Sequence, residues 1–277
     1  MAANTRSKIL GTGDPSLDFA AGLIPGIRTR SANGVNLDLD TGVEETLWNV
    51  GGLYTGPTAA QTLTLVSDNA ADDGVTGQGA QQVKITGLTS FGSANATVEE
   101  TVVLDGLTPV VTTNEFVFFC FAKVVEHGTT SVNAGTITIT ATDDATVQSR
   151  IDPLTGVTRS CVCGIPAGQG MFITNYGASI LQGSSNSEVD VRLVVDQGQH
   201  LDLNPTSSTV IHQIGLKSAG TSAFNHAFSP YIQIIGPAIV SLRATASANN
   251  ITLSGSFDLV VTDNTEMRRL REARESR

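Results

Sequence analysis

The sequence predicts an all-β protein: two β-sandwich or jelly-roll-like domains with an extended N-terminal arm and a short C-terminal helical tail. Three observations lead there. Charged residues make up 15% of the 277 and aromatics 5%, while Thr, Ser, Ala, Gly and Val dominate, a composition that favours strands over long helices. Short segments such as Gln61-Thr62-Leu63-Thr64-Leu65-Val66 alternate polar and apolar residues, so each has one wet and one dry face. Turn-forming clusters separate these segments at the spacing expected of sandwich strands. A chain of this length is long for a single core and suits two.

Residues 1–40 are read as the arm. Gly11, Gly13, Pro15, Gly22, Pro25, Gly26 and Gly34 interrupt any long helix or strand. Leu10, Leu17, Phe19, Leu23, Ile24 and Ile27 are nevertheless too apolar for a solvated tail. Such an arm lies on a surface, either its own body or a neighbouring subunit. The first sandwich is placed at residues 41–152 and opens on Glu45-Thr46-Leu47-Trp48-Asn49-Val50-Gly51-Gly52-Leu53-Tyr54-Thr55-Gly56, which holds the single tryptophan. Strands are predicted over Gln61–Val66, Gln82–Thr86, Thr97–Leu104 and Thr136–Thr140, with Asp105-Gly106 as a hairpin-type turn. The run Glu115–Val125 is the most apolar and is placed in the middle of the sandwich, covered on both faces.

After a pause at Asp152-Pro153-Leu154-Thr155-Gly156, a second sandwich is placed at residues 153–264. Its predicted strands are Arg159–Ile165, Met171–Leu181, Glu188–Val195, Thr209–Leu216, Tyr231–Ile235, Ile239–Ala246 and Ile251–Val261. Asn249-Asn250 reads as a hairpin turn between the last two. Residues 265–277 change character: strong helix formers with Glu-to-Arg spacings of three and four predict a short basic helical tail.

The net charge is −10 but unevenly spread. Arg6, Lys8, Arg28 and Arg30 lie in the arm, and Arg268, Arg269, Arg271, Arg274 and Arg277 in the tail. The body between them is strongly acidic, which offers no footprint for a phosphate backbone and excludes nucleic acid as the expected partner. The N-terminus carries Asp14 and Asp18 and no continuous apolar core, so neither a signal peptide nor a membrane span is expected. Cys120, Cys161 and Cys163 are read as reduced structural thiols, since no second Cys or His pair completes a zinc set.

The search for chemistry is negative. There is no G-x-S-x-G elbow, no phosphate-cradling Gly-Lys loop and no His-Glu-x-x-His. His127, His200, His212 and His226 are scattered singly and read as structural or surface residues. Asp68 with Asp72 and Asp73, Asp143 with Asp144, and Asp38 with Asp40 are the candidate calcium loops. Backbone amides of their own turns account for such aspartates, so no metal, cofactor or catalytic residue is expected.

Four stretches carry a family resemblance: Glu45-Thr46-Leu47-Trp48-Asn49-Val50-Gly51-Gly52-Leu53-Tyr54; Leu104-Asp105-Gly106; Ile165-Pro166-Ala167-Gly168; and Arg243-Ala244-Thr245-Ala246-Ser247 through Phe257-Asp258-Leu259-Val260-Val261-Thr262-Asp263-Asn264. Together they resemble a virion structural protein family of tailed marine and freshwater bacteriophages, over about residues 36–264. The resemblance implies a non-enzymatic virion component, a capsid decoration or cement protein or a tail-associated one, assembled in the host bacterial cytoplasm. Its expected partners are other copies of itself, as a homo-oligomer, and the major capsid or tail proteins of the same virion. Subunit contacts are assigned to Leu17, Phe19, Leu23, Ile24, Arg28 and Arg30 in the arm and to Arg268, Arg269, Arg271 and Arg274 in the tail. The alternative is a carbohydrate- or receptor-binding module of a tail fibre.

Overall fold

The computed structural model describes residues 26–130, 132–183, 186–197 and 208–263. Those residues form antiparallel strands and no helix. The strands β1 (Ile27–Leu39) and β2 (Glu44–Thr46) come first. Next, β3 (Leu63–Ser67), β4 (Ala80–Leu88), β5 (Thr97–Val103), β6 (Val110–Val111), β7 (Phe118–His127), β8 (Ile137–Ala141) and β9 (Val147–Ile151) build a smaller sandwich. One of its sheets runs β6-β3-β8-β9 and the other β5-β4-β7. Alternation explains the pairing of these sheets: Leu63, Leu65, Ile137 and Ile139 turn inward from one and Val83 and Ile85 from the other, while intervening threonines stay partly in solvent. Each such side chain contributes about 1.5–3 kcal/mol on burial.

The larger sandwich is made by β10 (Val162–Ile165), β11 (Gln169–Gln182), β12 (Glu188–Gln197), β13 (Thr209–Lys217), β14 (Ala223–Ile235), β15 (Ala238–Ala246) and β16 (Ile251–Asp263) together with β1 and β2. One sheet runs β1-β16-β11-β14, and the other β10-β15-β12-β13 with β2 added on β15. Tyr176, Phe257, Leu253, Leu193, Val191 and Leu242 are among the fully buried side chains between them.

Strand pairing therefore departs from a tandem division of the chain at residue 152. Although β1 and β2 precede the smaller sandwich in sequence, they pair with β16 and β15. The smaller sandwich is an insertion between β2 and β10. The expected arm changes accordingly: from Ile27 to Leu39 it is a 13-residue strand whose register runs from Ile27 opposite Thr262 to Leu39 opposite Ile251. Gly34 is central to that placement. A methyl group there would lie 2.0 Å from the Leu47 carbonyl oxygen and 2.6 Å from the Cys161 nitrogen, so the glycine read as a strand breaker permits the close approach of backbones.

Three further expectations shift. β7 is an edge strand of its sheet rather than a central one. Its first half is covered on both faces all the same, because Phe119 enters the core of the smaller sandwich while Phe118 and Cys120 pack toward the larger one, whereas Lys123 and Val125 to His127 are exposed. The Asn249-Asn250 turn, with Asn250 at φ 59, carries the chain from β15 in one sheet to β16 in the other and closes no hairpin. Asp105-Gly106, with Gly106 at φ 54, likewise passes from β5 to the sheet of β6. The helical tail at 265–277 lies outside the described residues.

Candidate functional site

The two sandwiches meet on the Trp48 segment. Gly51 and Gly52, at φ 89 and 68, reverse the chain in a conformation that suits glycine. This lets the Trp48 indole Nε1 donate to the Gly52 carbonyl at 2.9 Å. Glu45 is 4% exposed, and its carboxylate accepts from Gly52 N at 2.8 Å, Asp40 N at 2.6 Å and Asn36 Nδ2 at 3.0 Å. Trp48 meets Tyr54 edge to face at 5.2 Å, and Tyr54 meets Phe118 at 5.6 Å. With Leu88, Cys120, Val162 and Ile239 they form an apolar cluster drawn from both sandwiches. Burial pushes the Tyr54 phenol well above its ordinary range.

A polar clamp flanks this cluster. Asn49 Nδ2 donates to the Arg150 carbonyl at 2.9 Å and to Asp152 Oδ2 at 3.0 Å. Arg159 Nη2 reaches the same carboxylate at 2.5 Å. Arg150 Nε lies 3.0 Å from Asp152 Oδ1 but makes no hydrogen bond to it, so it acts through its charge. Burial opposes ionisation of Asp152, yet the donors Asn49 and Arg159 and the two arginine charges hold its carboxyl below its ordinary value. A carboxyl depressed in the folded state stabilises above its unfolded pKa of about 3.9, and that contribution is lost as pH falls through the folded value. Replacing Asp152 with Asn is expected to cost about 1–3 kcal/mol at neutral pH. Urea midpoints of both chains, followed from neutral pH downward, should converge below about pH 4; a gap that persists unchanged into strong acid would count against the clamp.

Beside the joint lies a cleft of about 520 Å³ between the outer face of β4, β5 and β7 and the edge strands β1 and β10. It is lined by Arg28 and Arg30 of β1, Lys84 of β4, Lys123 of β7 and Glu99 of β5. Lys84 and Lys123 are direct cross-strand partners, an arrangement in which like charges destabilise a sheet. Lys84 is paired with Glu99 at 2.7 Å. Among the described residues, Arg28, Arg30 and Lys123 face no carboxylate within ion-pair distance. The partly buried Arg30 guanidinium instead neighbours the Cys163 and Cys120 thiols. Burial pushes the Cys163 thiol up against the pull of Arg30, so it is protonated at neutral pH and gives no counter-charge.

Arg28 and Arg30 are thus the two sequence-assigned contact residues within the described structure, and both line this cleft. Leu17, Phe19, Leu23, Ile24, Arg268, Arg269, Arg271 and Arg274 lie outside the described residues. The three cysteines are free and buried. Two of the aspartates in the acidic turns are engaged by protein donors: Asp72, fully buried, accepts from four, and Asp144 accepts from Thr58, Gln61 and Thr146, the Thr146 and Thr58 donors depressing its pKa against the opposing effect of burial. No three His, Cys, Asp or Glu side chains converge among the described residues.

Two histidines read as isolated are in contact. His212 on β13 and His226 on β14 stack at 4.6 Å with an interplanar angle of 16°. The Tyr176 hydroxyl hydrogen-bonds His212 Nδ1. Burial, and secondarily the charge His226 would carry, push the His212 pKa down. The contact was hidden because β13 and β14 are edge strands of different sheets. His127 is exposed at the end of β7.

No protein-family model and no curated protein matches the sequence. Among solved structures the chain is similar to that of infectious bursal disease virus Gx strain, with a TM-score of 0.24 and 13% identity over 85% of this chain and 72% of that one. It is also similar to the infectious bursal disease virus VP2 subviral particle, with a TM-score of 0.22 and 12% identity over 86% and 72%. For the STIV MCP the TM-score is 0.21 and the identity 9%, over 84% and 96%. TM-scores this far below 0.5 carry no inference about fold or function.

Proposed function

We propose that the chain is a non-enzymatic structural component of a tailed-phage virion, a capsid decoration or cement protein or a tail-associated one, that works through subunit contacts. The observation that carries this reading is the use made of the residues behind the family resemblance. Glu45, Trp48, Gly52 and Tyr54 join the two sandwiches, and Arg243 closes a buried ion pair. None of these five lines the cationic cleft, to which the same stretches contribute only Ile165, Val261 and Thr262. A sequence signature devoted to internal rigidity suits a protein that bears load in an assembly. Homo-oligomer contacts and contacts to major capsid or tail proteins are assigned to Leu17, Phe19, Leu23, Ile24, Arg28 and Arg30 and to Arg268, Arg269, Arg271 and Arg274. No observation favours the sugar-binding alternative: Trp48, Tyr54 and Tyr176 are buried, which leaves Tyr231 as the only exposed Trp or Tyr side chain, whereas stacking platforms need several.

Light scattering on the full chain beside a chain starting at residue 26 tests the reading. The shortened chain keeps every strand pair described above, whereas a deletion through residue 40 would remove β1 from its sheet. A defined oligomer is expected for the full chain, falling to monomer without residues 1–25. Monomers in both cases would remove the arm from assembly.

A further inference from the structure

We propose that the cleft between the sandwiches binds a multiply charged oxyanion, a phosphate or sulfate group, held by Arg28, Arg30 and Lys123. Four features converge on it. The chain carries a net charge of −10, so a concentration of cations on one concave surface runs against its general balance and is not a device for solubility. The cations come from three different strands, β1, β4 and β7, belonging to both sandwiches; they are brought together by the fold and not by a local run of sequence. Lys84 stands directly opposite Lys123, a pairing that costs stability and that a bound anion would relieve. Glu99, the carboxylate among the lining residues, is already held by Lys84, which leaves three cations for a ligand.

The chemistry of the donors narrows the class. A guanidinium presents parallel N–H groups that match two oxygens of a phosphate or sulfate, and an ammonium adds a point charge. Thr29, Thr86 and Asn95 on the walls offer hydroxyl and amide donors for remaining oxygens. A volume of about 520 Å³ falls in the range of small-molecule sites and exceeds what one inorganic ion fills. The cleft therefore has room for the organic part of a phosphate or sulfate ester. The site shares Arg28 and Arg30 with the assembly reading but takes every lining residue from a single chain, so monomers in the light-scattering test would leave the anion site standing.

Isothermal titration calorimetry on the full chain tests the proposal, with inorganic phosphate, inorganic sulfate, pyrophosphate and a sugar phosphate as probes, at ionic strength held constant with chloride. Saturable binding of at least one probe is expected, weakened about tenfold or more by Lys123→Gln and by Arg28→Gln, the loss of one charge-assisted contact. Both positions are exposed, so the variants keep the fold, and circular dichroism confirms it. Lys217→Gln, an exposed lysine on β13 paired with Glu188, should leave binding unchanged. Tighter binding of the sugar phosphate than of the bare ions would identify an ester ligand, and the reverse order a free ion; either supports an oxyanion site. Absence of saturable heat with all four probes, or equal weakening by Lys217→Gln, would overturn it.

Discussion

Replacing Asp72 with alanine is expected to destabilise the smaller sandwich by about 3–5 kcal/mol. The side chain is fully buried, yet no cation among the described residues pairs with it. Its Oδ1 accepts from Ala80 N at 2.8 Å and Ala134 N at 2.7 Å, and its Oδ2 from Ser67 Oγ at 2.7 Å and Gly135 N at 2.9 Å. One carboxylate thus satisfies donors from β3, the start of β4 and the loop entering β8. Removing it strands several buried donors at once, each costing about 1–3 kcal/mol, offset in part by water entering the space. Asp72→Asn should recover little, because an amide must point its NH2 group at donors where the carboxylate accepts. Urea denaturation of both variants beside the parent chain measures the effect. A loss under about 1 kcal/mol would mean that the loop amides find other acceptors and that Asp72 is not their organiser.

That site shows which features can be read from a sequence. Asp68, Asp72 and Asp73 announce a turn, and backbone amides are the partners such aspartates ordinarily take. What the sequence conceals is that Asp72 gathers amides more than 60 residues away, at Ala134 and Gly135. The same division runs through the fold. Gln61–Val66, Thr136–Thr140 and Glu188–Val195 reveal themselves by alternation, since half their side chains must be dry wherever their partners lie. β1 does not: its Thr, Arg, Ser and Asn positions mask the dry face, and its partner β16 lies over 200 residues on. Gly34 looks like an interruption until Leu47 and Cys161 are seen against it. The first half of β14 escapes for a related reason, because an edge strand with most of its side chains exposed has little apolar pattern to display. The cleft is the extreme case. Residues 28, 30, 84 and 123 have no shared motif, and their association arises only from insertion of one sandwich into the other.

The second large effect is expected at the ion pair of the larger sandwich. Arg243 on β15 and Asp196 on β12 are 3% and 2% exposed, with Nη2 and Oδ2 2.8 Å apart. Ser241 Oγ lies 3.2 Å from Arg243 Nε, and Ser208 bridges the pair by contacting both partners. Glu44 on β2 approaches Arg243 Nη1 at 3.5 Å, so the cluster also ties the short strand β2 to the sheet. Asp196→Ala should cost about 3–5 kcal/mol, because it leaves a buried guanidinium with only the more distant Glu44 as counter-charge. Arg243→Met should cost a similar amount for the converse reason. Combining Arg243→Met with Asp196→Val removes both charges and should recover much of the loss, since apolar replacement of a buried pair is often close to neutral. Urea denaturation of the single and double variants closes the cycle. Additive losses would show that the two charges do not stabilise one another and that each is held by its other neighbours. A recovered double variant would assign the pair to fixing the register of β2, β15 and β12, with little net contribution to stability.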